Sequence, residues 1–294
     1  MATLREIKGR ISSVRSTLKI TSAMKLVSSS KLRRAQLAIE AMRPYQRQMD
    51  GILQALLEAG ARIPEAEVKA DAPLAIVAIS SNSSLCGGFN SAVIAKVKAV
   101  LADNPDALVY SAGRKVADAM RKVGKPSPEN LNALSEKPAY GPASDLAARL
   151  MEDFADGRIS GVVLVYSHFV SAARQVPVAE RLLPAVEISP RGPEGLGRDD
   201  RIVISSEVEK SDFIVEPSAQ EMMADLFPKS IKLKLYTAFL DSAASEHAAR
   251  TVAMQTATDN GENLLAELTL IYNKTRQQKI TTEILDLAGG KIEE

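Results

Sequence analysis

Counted in sevens from Leu4 and Ile7, apolar residues fall on one stripe: Leu4, Ile7, Ile11, Val14 and Leu18, then Leu32, Ala35, Ile39 and Met42, and finally Met49, Leu53 and Leu56. Polar residues hold the stripe at Thr21, Lys25, Ser28 and Gln46. A 3.5-residue repeat sustained over about seven heptads marks a helix that packs along a partner helix. It predicts a helix over residues 3–58, roughly 80 Å long at 1.5 Å per residue. Thr21, Lys25 and Ser28 are consecutive stripe positions, so packing weakens there, either to fix register or to serve a function. Pro44 has no N–H and crowds the preceding turn, and is expected to kink or locally break the helix.

A second long helix is predicted at the other end of the chain. Glu216-Pro217-Ser218 reads as a turn and N-cap, and helix-forming residues then run to the stop at Gly289-Gly290. Its seam is Ala-rich: Tyr236, Leu240, Ala243, Met254, Ala257, Leu264, Leu268, Ile271 and Leu285. Pro228 should bend its start. Asp259-Asn260-Gly261 could split it into a hairpin. The seam holds phase across that triplet and a helical glycine costs only ~1 kcal/mol, so the helix is read as continuous.

Between the helices the period changes from seven to that of a sheet. After an Ala-, Glu- and Pro-containing linker at 60–72, short apolar runs at Leu74–Ile79, Ala107–Ser111 and Val162–Tyr166 read as strands. Helical stretches are read at Ser91–Leu101, Arg114–Val123 and Ser144–Phe154, and further strands at Gln175–Leu183 and Phe213–Val215. Pro-rich loops are expected at 125–142 and 189–201. Strand and helix in alternation predict a small, mostly parallel sheet. The expected organisation is α/β: an N-terminal coiled-coil helix over 1–59, an inserted α/β domain over 72–216, and a C-terminal coiled-coil helix over 218–288 that pairs antiparallel with the first.

Charge sharpens this picture. The net charge is +1, yet residues 1–50 carry eleven Lys or Arg against Glu6, Glu40 and Asp50, which makes that segment +8 and leaves −7 for the rest. A basic, Ser-rich start also suits an organelle transit peptide, but seven heptads do not. A nucleic-acid backbone would suit the charge, but the apolar stripe needs a helix and aromatics are only 4%, with no Trp for stacking. The remaining readings are a solvated face and an acidic protein partner.

Catalytic chemistry is sparse. One cysteine and two histidines, His168 and His247, exclude a Cys-rich zinc site and leave little for a His-based one. Cys86 lies in Ser80-Ser-Asn-Ser-Ser-Leu-Cys-Gly-Gly-Phe-Asn90, near a helix start that would favour a thiolate. No histidine context ties a base to it, so it reads as a buried cysteine in a tight turn. The sequence holds no G-x-x-x-x-G-K-[ST] and no G-x-G-x-x-G, so no phosphate-binding loop is predicted and no cofactor is expected.

Three segments then carry a resemblance: Ile20-Thr-Ser-Ala-Met-Lys-Leu-Val-Ser-Ser-Ser-Lys-Leu-Arg-Arg-Ala-Gln36, the turn Leu85-Cys-Gly-Gly-Phe-Asn90, and the tail from Ser245-Glu-His-Ala-Ala-Arg250 through Ala257-Thr-Asp-Asn-Gly261 to Leu270-Ile-Tyr-Asn-Lys-Thr-Arg-Gln277 and Ile280-Thr-Thr-Glu283. In this order, and essentially end to end, the chain resembles the gamma (central-stalk) subunits of F-type ATP synthases. The resemblance implies a rotating shaft rather than a catalyst, with a Rossmann-like domain at the foot of the coiled coil. The implied partners are three alpha and three beta subunits around the coil, with the epsilon subunit and the c-ring at the foot. Proton flow through the c-ring would drive ATP synthesis by differential contact of one asymmetric shaft with three bistable sites. The implied location is peripheral, at the cytoplasmic face of a bacterial inner membrane. A bacterial source is also read from the absence of a separate leader before the heptads.

By the same resemblance, Met24 and Lys25 match positions facing an acidic lever loop of a beta subunit, and Arg33 and Arg34 extend that basic face. Arg276 and Gln277 match residues contacting a beta "catch" loop, with Thr281 and Glu283 a turn further on. Phe213-Ile-Val-Glu-Pro217 resembles a Tyr-x-Tyr-Glu-Pro segment touching the c-ring; both tyrosines are replaced, so only Glu216 transfers. Relatives often carry Asp-Arg-Gly where this chain has Ser81-Asn-Ser-Ser84. A cysteine-dependent α/β enzyme, which would lose turnover on alkylation of Cys86, and a coiled-coil scaffold unrelated to ATP synthesis stand as the alternatives.

Overall fold

The computed structural model describes residues 3–63, 72–184, 216 and 218–289. Their elements are α1 (Leu4–Glu58), β1 (Leu74–Ile79), α2 (Phe89–Asp103), β2 (Leu108–Ala112), α3 (Arg114–Lys122), α4 (Asn132–Glu136), α5 (Tyr140–Ala155), β3 (Gly161–Phe169), β4 (Gln175–Leu183) and α6 (Ala219–Gly289). By contact, the chain divides into two compact units, one of Met1–Ser29 with Arg250–Glu294 and the other of Ser30–Ala249.

In the unit of Ser30–Ala249 the sheet order is β2-β1-β3-β4. β1 pairs parallel with β2 and β3, while β3 and β4 form an antiparallel pair. Both faces of β1 are buried, which is why its sequence is an unbroken apolar run. On one face Ile76, Ala78, Val109 and Val165 pack on Val93 and Val97 of α2 and Val116 and Met120 of α3. On the other, Ala75, Val77 and Leu164 share a core with α5 (Leu146, Leu150), α1 (Leu53, Leu56) and α6 (Ile231, Leu235, Phe239). Higher along the two long helices, Leu32, Ala35 and Ile39 of α1 meet Ala244 and Ala248 of α6, with Phe169 beside them.

In the unit of Met1–Ser29 and Arg250–Glu294 the two helices pair antiparallel. Ile7, Ile11 and Val14 cluster with Leu265, Leu268 and Tyr272. Further along, Thr258 Oγ1 donates a 3.0 Å hydrogen bond to Thr21 Oγ1. All sixteen α1 stripe positions, Lys25 included, are buried or half-buried.

Several expectations change. α1 runs through Pro44 and α6 through Pro228 without a break. Each proline frees the carbonyl four residues earlier, on Glu40 and Ala224, and both lie on exposed turns where water can bond it. The expected loop at 125–142 holds α4 and the start of α5. Pro142 is the third residue of α5, where a backbone N–H would have no intrahelical acceptor, so it does not oppose the helix. On α6, Leu264, Ile271 and Leu285 are exposed, and the packed row is displaced by one residue to Leu265 and Tyr272. The expected strand at Phe213–Val215, the loop at 189–201 and most of the linker lie outside the described residues. Ser218 does cap α6, its Oγ accepting the Glu221 N–H at 3.2 Å.

Candidate functional site

A parallel α/β sheet places ligands outside the carboxyl ends of its strands, where the chain leaves one strand for neighbours on opposite sides. Here that place is the end of β1, flanked by β2 and β3. The backbone donors that would cradle an anion are the first N–H groups of α3. Each is taken by the chain itself. Gly113 N donates to Asn132 Oδ1 (3.2 Å), Arg114 N to Asn82 Oδ1 (3.0 Å), Lys115 N to the Ser81 carbonyl (3.2 Å) and Val116 N to Ser80 Oγ (3.0 Å). Asn82 Nδ2 in turn donates to the Asn132 carbonyl at 2.9 Å, and Ser135 Oγ donates to the Ser80 carbonyl. Gly113, at φ +111°, allows this close approach, since a Cβ there would lie 2.2 Å from the Ser80 oxygen. The crevice is thus filled by two asparagines and two serines.

Cys86 is buried beside this network. Asn90 Nδ2 donates to its sulfur at 3.0 Å, Ser81 Oγ lies 3.7 Å away and the Ser83 carbonyl 3.9 Å. None of these neighbours is a base, so the geometry provides no activated nucleophile. The residue before it, Leu85, adopts φ +67° with its side chain largely exposed. Ser81 is itself buried, its N–H donating to Asn90 Oδ1 at 3.1 Å. Among the described residues no group of His, Cys, Asp and Glu could hold a metal.

The residues expected to meet partners lie elsewhere. Met24 and Lys25 are half-buried on α1 in the unit of Met1–Ser29 and Arg250–Glu294. Arg33 and Arg34 are exposed on α1 in the other unit. Arg276, Gln277, Thr281 and Glu283 all fall on a stretch of α6, residues 276–288, in which every residue is exposed. There Thr281 Oγ1 donates to the Gln277 carbonyl (3.0 Å) and Lys279 Nζ lies 3.6 Å from Glu283 Oε1. The same stretch exposes Ile280, Ile284 and Leu287, a stripe at helical spacing that nothing among the described residues covers. Glu216 is exposed.

One polar site was not foreseen. His168 Nδ1 donates to Asp241 Oδ2 across 73 residues of sequence, and Asp241 Oδ1 accepts the Phe169 N–H at 3.1 Å. Burial pulls the imidazole pKa down, but the hydrogen bond and charge of Asp241 more than offset it, so His168 lies above its ordinary value. A separation that long leaves no local signal in the sequence.

The family model described as ATP synthase matches residues 3–291. The chain is 45% identical to the ATP synthase gamma chain of Bacteroides thetaiotaomicron over 300 residues, covering all of both chains. It is 44% identical to that of Phocaeicola vulgatus over 99% of this chain and all of the relative. Among solved structures it is similar to a chain of the Euglena gracilis mitochondrial ATP synthase OSCP/F1/c-ring assembly (TM-score 0.66, 21% identity, 98% of this chain and 93% of the other). It also resembles a chain of the Tetrahymena thermophila mitochondrial ATP synthase central stalk and c-ring (TM-score 0.55, 23% identity, 81% and 99%). These structures share the fold of paired terminal helices and an inserted sheet, and the full-length identity to the bacterial proteins makes the chain a member of the ATP synthase gamma-chain family.

Proposed function

We propose that this chain is the rotating central shaft of an F-type ATP synthase, a subunit without catalysis of its own. It would lie in a ring of three alpha and three beta subunits and rest on the c-ring beside the epsilon subunit. The observation that carries this reading is 45% identity over the entire length of a bacterial gamma chain. Two further features support it. The anion donors at the end of β1 are already bonded to the chain's own side chains, and a long run of α6 presents apolar residues that an isolated helix would not leave in water. Among the described residues no helix is long and apolar enough to cross a membrane. From its family membership the chain is proposed to be peripheral, held at the cytoplasmic face of the inner membrane through the c-ring.

In mechanism, proton flow turns the c-ring and the shaft with it. One asymmetric rod then contacts three bistable beta subunits differently at each angle, shifting the open–closed equilibrium of each in turn. Met24, Lys25, Arg33 and Arg34 are proposed to face acidic segments of the beta subunits, and Arg276, Gln277, Thr281 and Glu283 their catch loops. Glu216 is proposed to meet the c-ring or epsilon subunit.

The test is co-purification together with a melt. The native chain should come down with six larger nucleotide-binding subunits per copy. Isolated, its melting temperature should be almost unmoved by millimolar ATP, because a ligand stabilises only by binding the native state preferentially. A saturable rise of several degrees, or purification without those subunits, would refute the shaft reading.

A further inference from the structure

At the end of β3, three consecutive residues are tied to two residues one turn apart on α6. The Ser167 carbonyl accepts a 2.8 Å hydrogen bond from Ser245 Oγ, the His168 ring bonds Asp241, and the Phe169 N–H donates to the other Asp241 oxygen at 3.1 Å. The Phe169 ring packs against the cluster of Leu32, Ala244 and Ala248 just beyond. Asp241 therefore binds a backbone amide with one oxygen and an imidazole with the other, and its side chain is only 15% exposed.

Such a carboxylate is held in place more strongly by an imidazolium than by a neutral ring. The charged groups that act on His168 are Asp241 on α6, Arg43 on α1 and Glu180 on β4, while Tyr166, two residues earlier on β3, is titratable but uncharged. Tyr166 donates to Glu180 at 3.0 Å and stays protonated, burial having pushed its phenol well up. Nearby, Asp50 is raised mainly by burial, with Lys234 opposing and Glu180 assisting.

We propose that His168 and Asp241 form a proton-operated clasp that fastens the end of β3 to α6. The clasp is closed while His168 is protonated and loosens when the ring loses its proton, because Asp241 then keeps the Phe169 amide but loses its cationic partner. A histidine whose folded pKa is raised contributes its stabilisation fully below the unfolded value of about 6.5, and that contribution disappears as pH rises through the folded value. The clasp thus opens as pH rises through the raised folded value of His168, above the ordinary imidazole range.

The chain has two histidines, so its imidazole NMR signals number two and His168→Gln assigns them. The experiment follows those signals and the hydrogen exchange of the Phe169 amide from pH 5.5 to 8.5 in the full chain, corrected for intrinsic exchange. Phe169 protection should fall about threefold or more as pH passes the His168 midpoint. In His168→Gln it should be lower and flat with pH, which separates this histidine from Asp50. Ser245→Ala should lower protection equally at all pH values, since that bond carries no titrating group. If His168→Gln does not fold, His247→Gln assigns the signals instead and the native titration decides. A His168 midpoint below about 6.5, or native Phe169 protection as flat as that of the variant, would overturn the clasp.

Discussion

Gly261 on α6 faces Leu18 on α1 so closely that a Cβ on the glycine would lie 2.7 Å from Leu18 Cδ2 and 3.2 Å from its Cγ. A glycine that costs a helix ~1 kcal/mol is thereby explained as a point of close helix approach. Gly261→Ala should gain helix propensity and lose contact at Leu18, the two nearly cancelling because the clash is with the movable end of a side chain. Gly261→Val cannot be accommodated that way and should cost about 1 to 3 kcal/mol as overpacking. Adding Leu18→Ala to Gly261→Val should recover most of it. Additive losses in denaturant melts of this double-mutant cycle would show that the two residues do not meet.

Leu85 gives a prediction of opposite sign. It holds φ +67° while exposing 59% of its surface, so it bears left-handed strain with little burial to offset it. That conformation costs an L-residue roughly 1 to 2 kcal/mol, against about 0.5 to 1 kcal/mol of extra unfolded-state entropy for glycine. Leu85→Gly should therefore leave stability unchanged or raise it by up to about 1 kcal/mol. A loss of stability in a thermal melt would mean that the Leu85 side chain has a packing role in this unit.

The regular parts of the fold were legible where one pattern had one solution. β1 begins and ends where its apolar run does, β4 spans the expected Gln175–Leu183, and the α1 stripe matches burial at every position. Legibility failed where neighbouring residues offered equal alternatives. Leu264 and Leu265, and again Ile271 and Tyr272, sit about 100° apart on the helix, and hydropathy alone cannot choose which faces the partner. It failed also where tertiary bonds make the element. α4 is five residues long, and Asn132 and Ser135 anchor it to the ends of β1 and β2, contacts that no local propensity encodes. Of the chemistry, the buried state of Cys86 was readable, whereas the filled crevice required residues 80–82, 113–116 and 132–135 to be seen together.

For the basic face of α1, burial distinguishes Lys25 from its neighbours. Lys25 is half-buried on the seam, while Arg33 and Arg34 are exposed. Exposed pairs with a screened partner are each worth ~0 to 1 kcal/mol, so single Ala changes at Arg33 or Arg34 should barely register. The triple Lys25→Ala, Arg33→Ala, Arg34→Ala variant should weaken assembly most at low salt, its deficit against the unaltered chain shrinking as salt rises and screens the attraction that was removed. A complex that assembles and turns over normally at low and high ionic strength would leave these residues as a solvated surface.

Arg276 has the sharpest expected effect, because it stands at the start of the α6 stretch in which every residue is exposed. Its planar fork can hold a carboxylate with two parallel hydrogen bonds, and Gln277 beside it offers both donor and acceptor. A charged hydrogen bond contributes ~1.5 to 3 kcal/mol, enough to bias one beta subunit's open and closed states and little enough to release as the shaft turns. Arg276→Ala removes no buried surface, so the circular-dichroism melt of the isolated chain should stay as it is. ATP hydrolysis and synthesis by the reconstituted complex should fall about tenfold or more, the factor that 1.4 kcal/mol represents. Arg276→Lys keeps the charge without the fork and should restore only part of the loss. Undiminished turnover in the Ala variant, or a loss matched by unfolding in the melt, would refute the proposed role of Arg276 as a coupling contact.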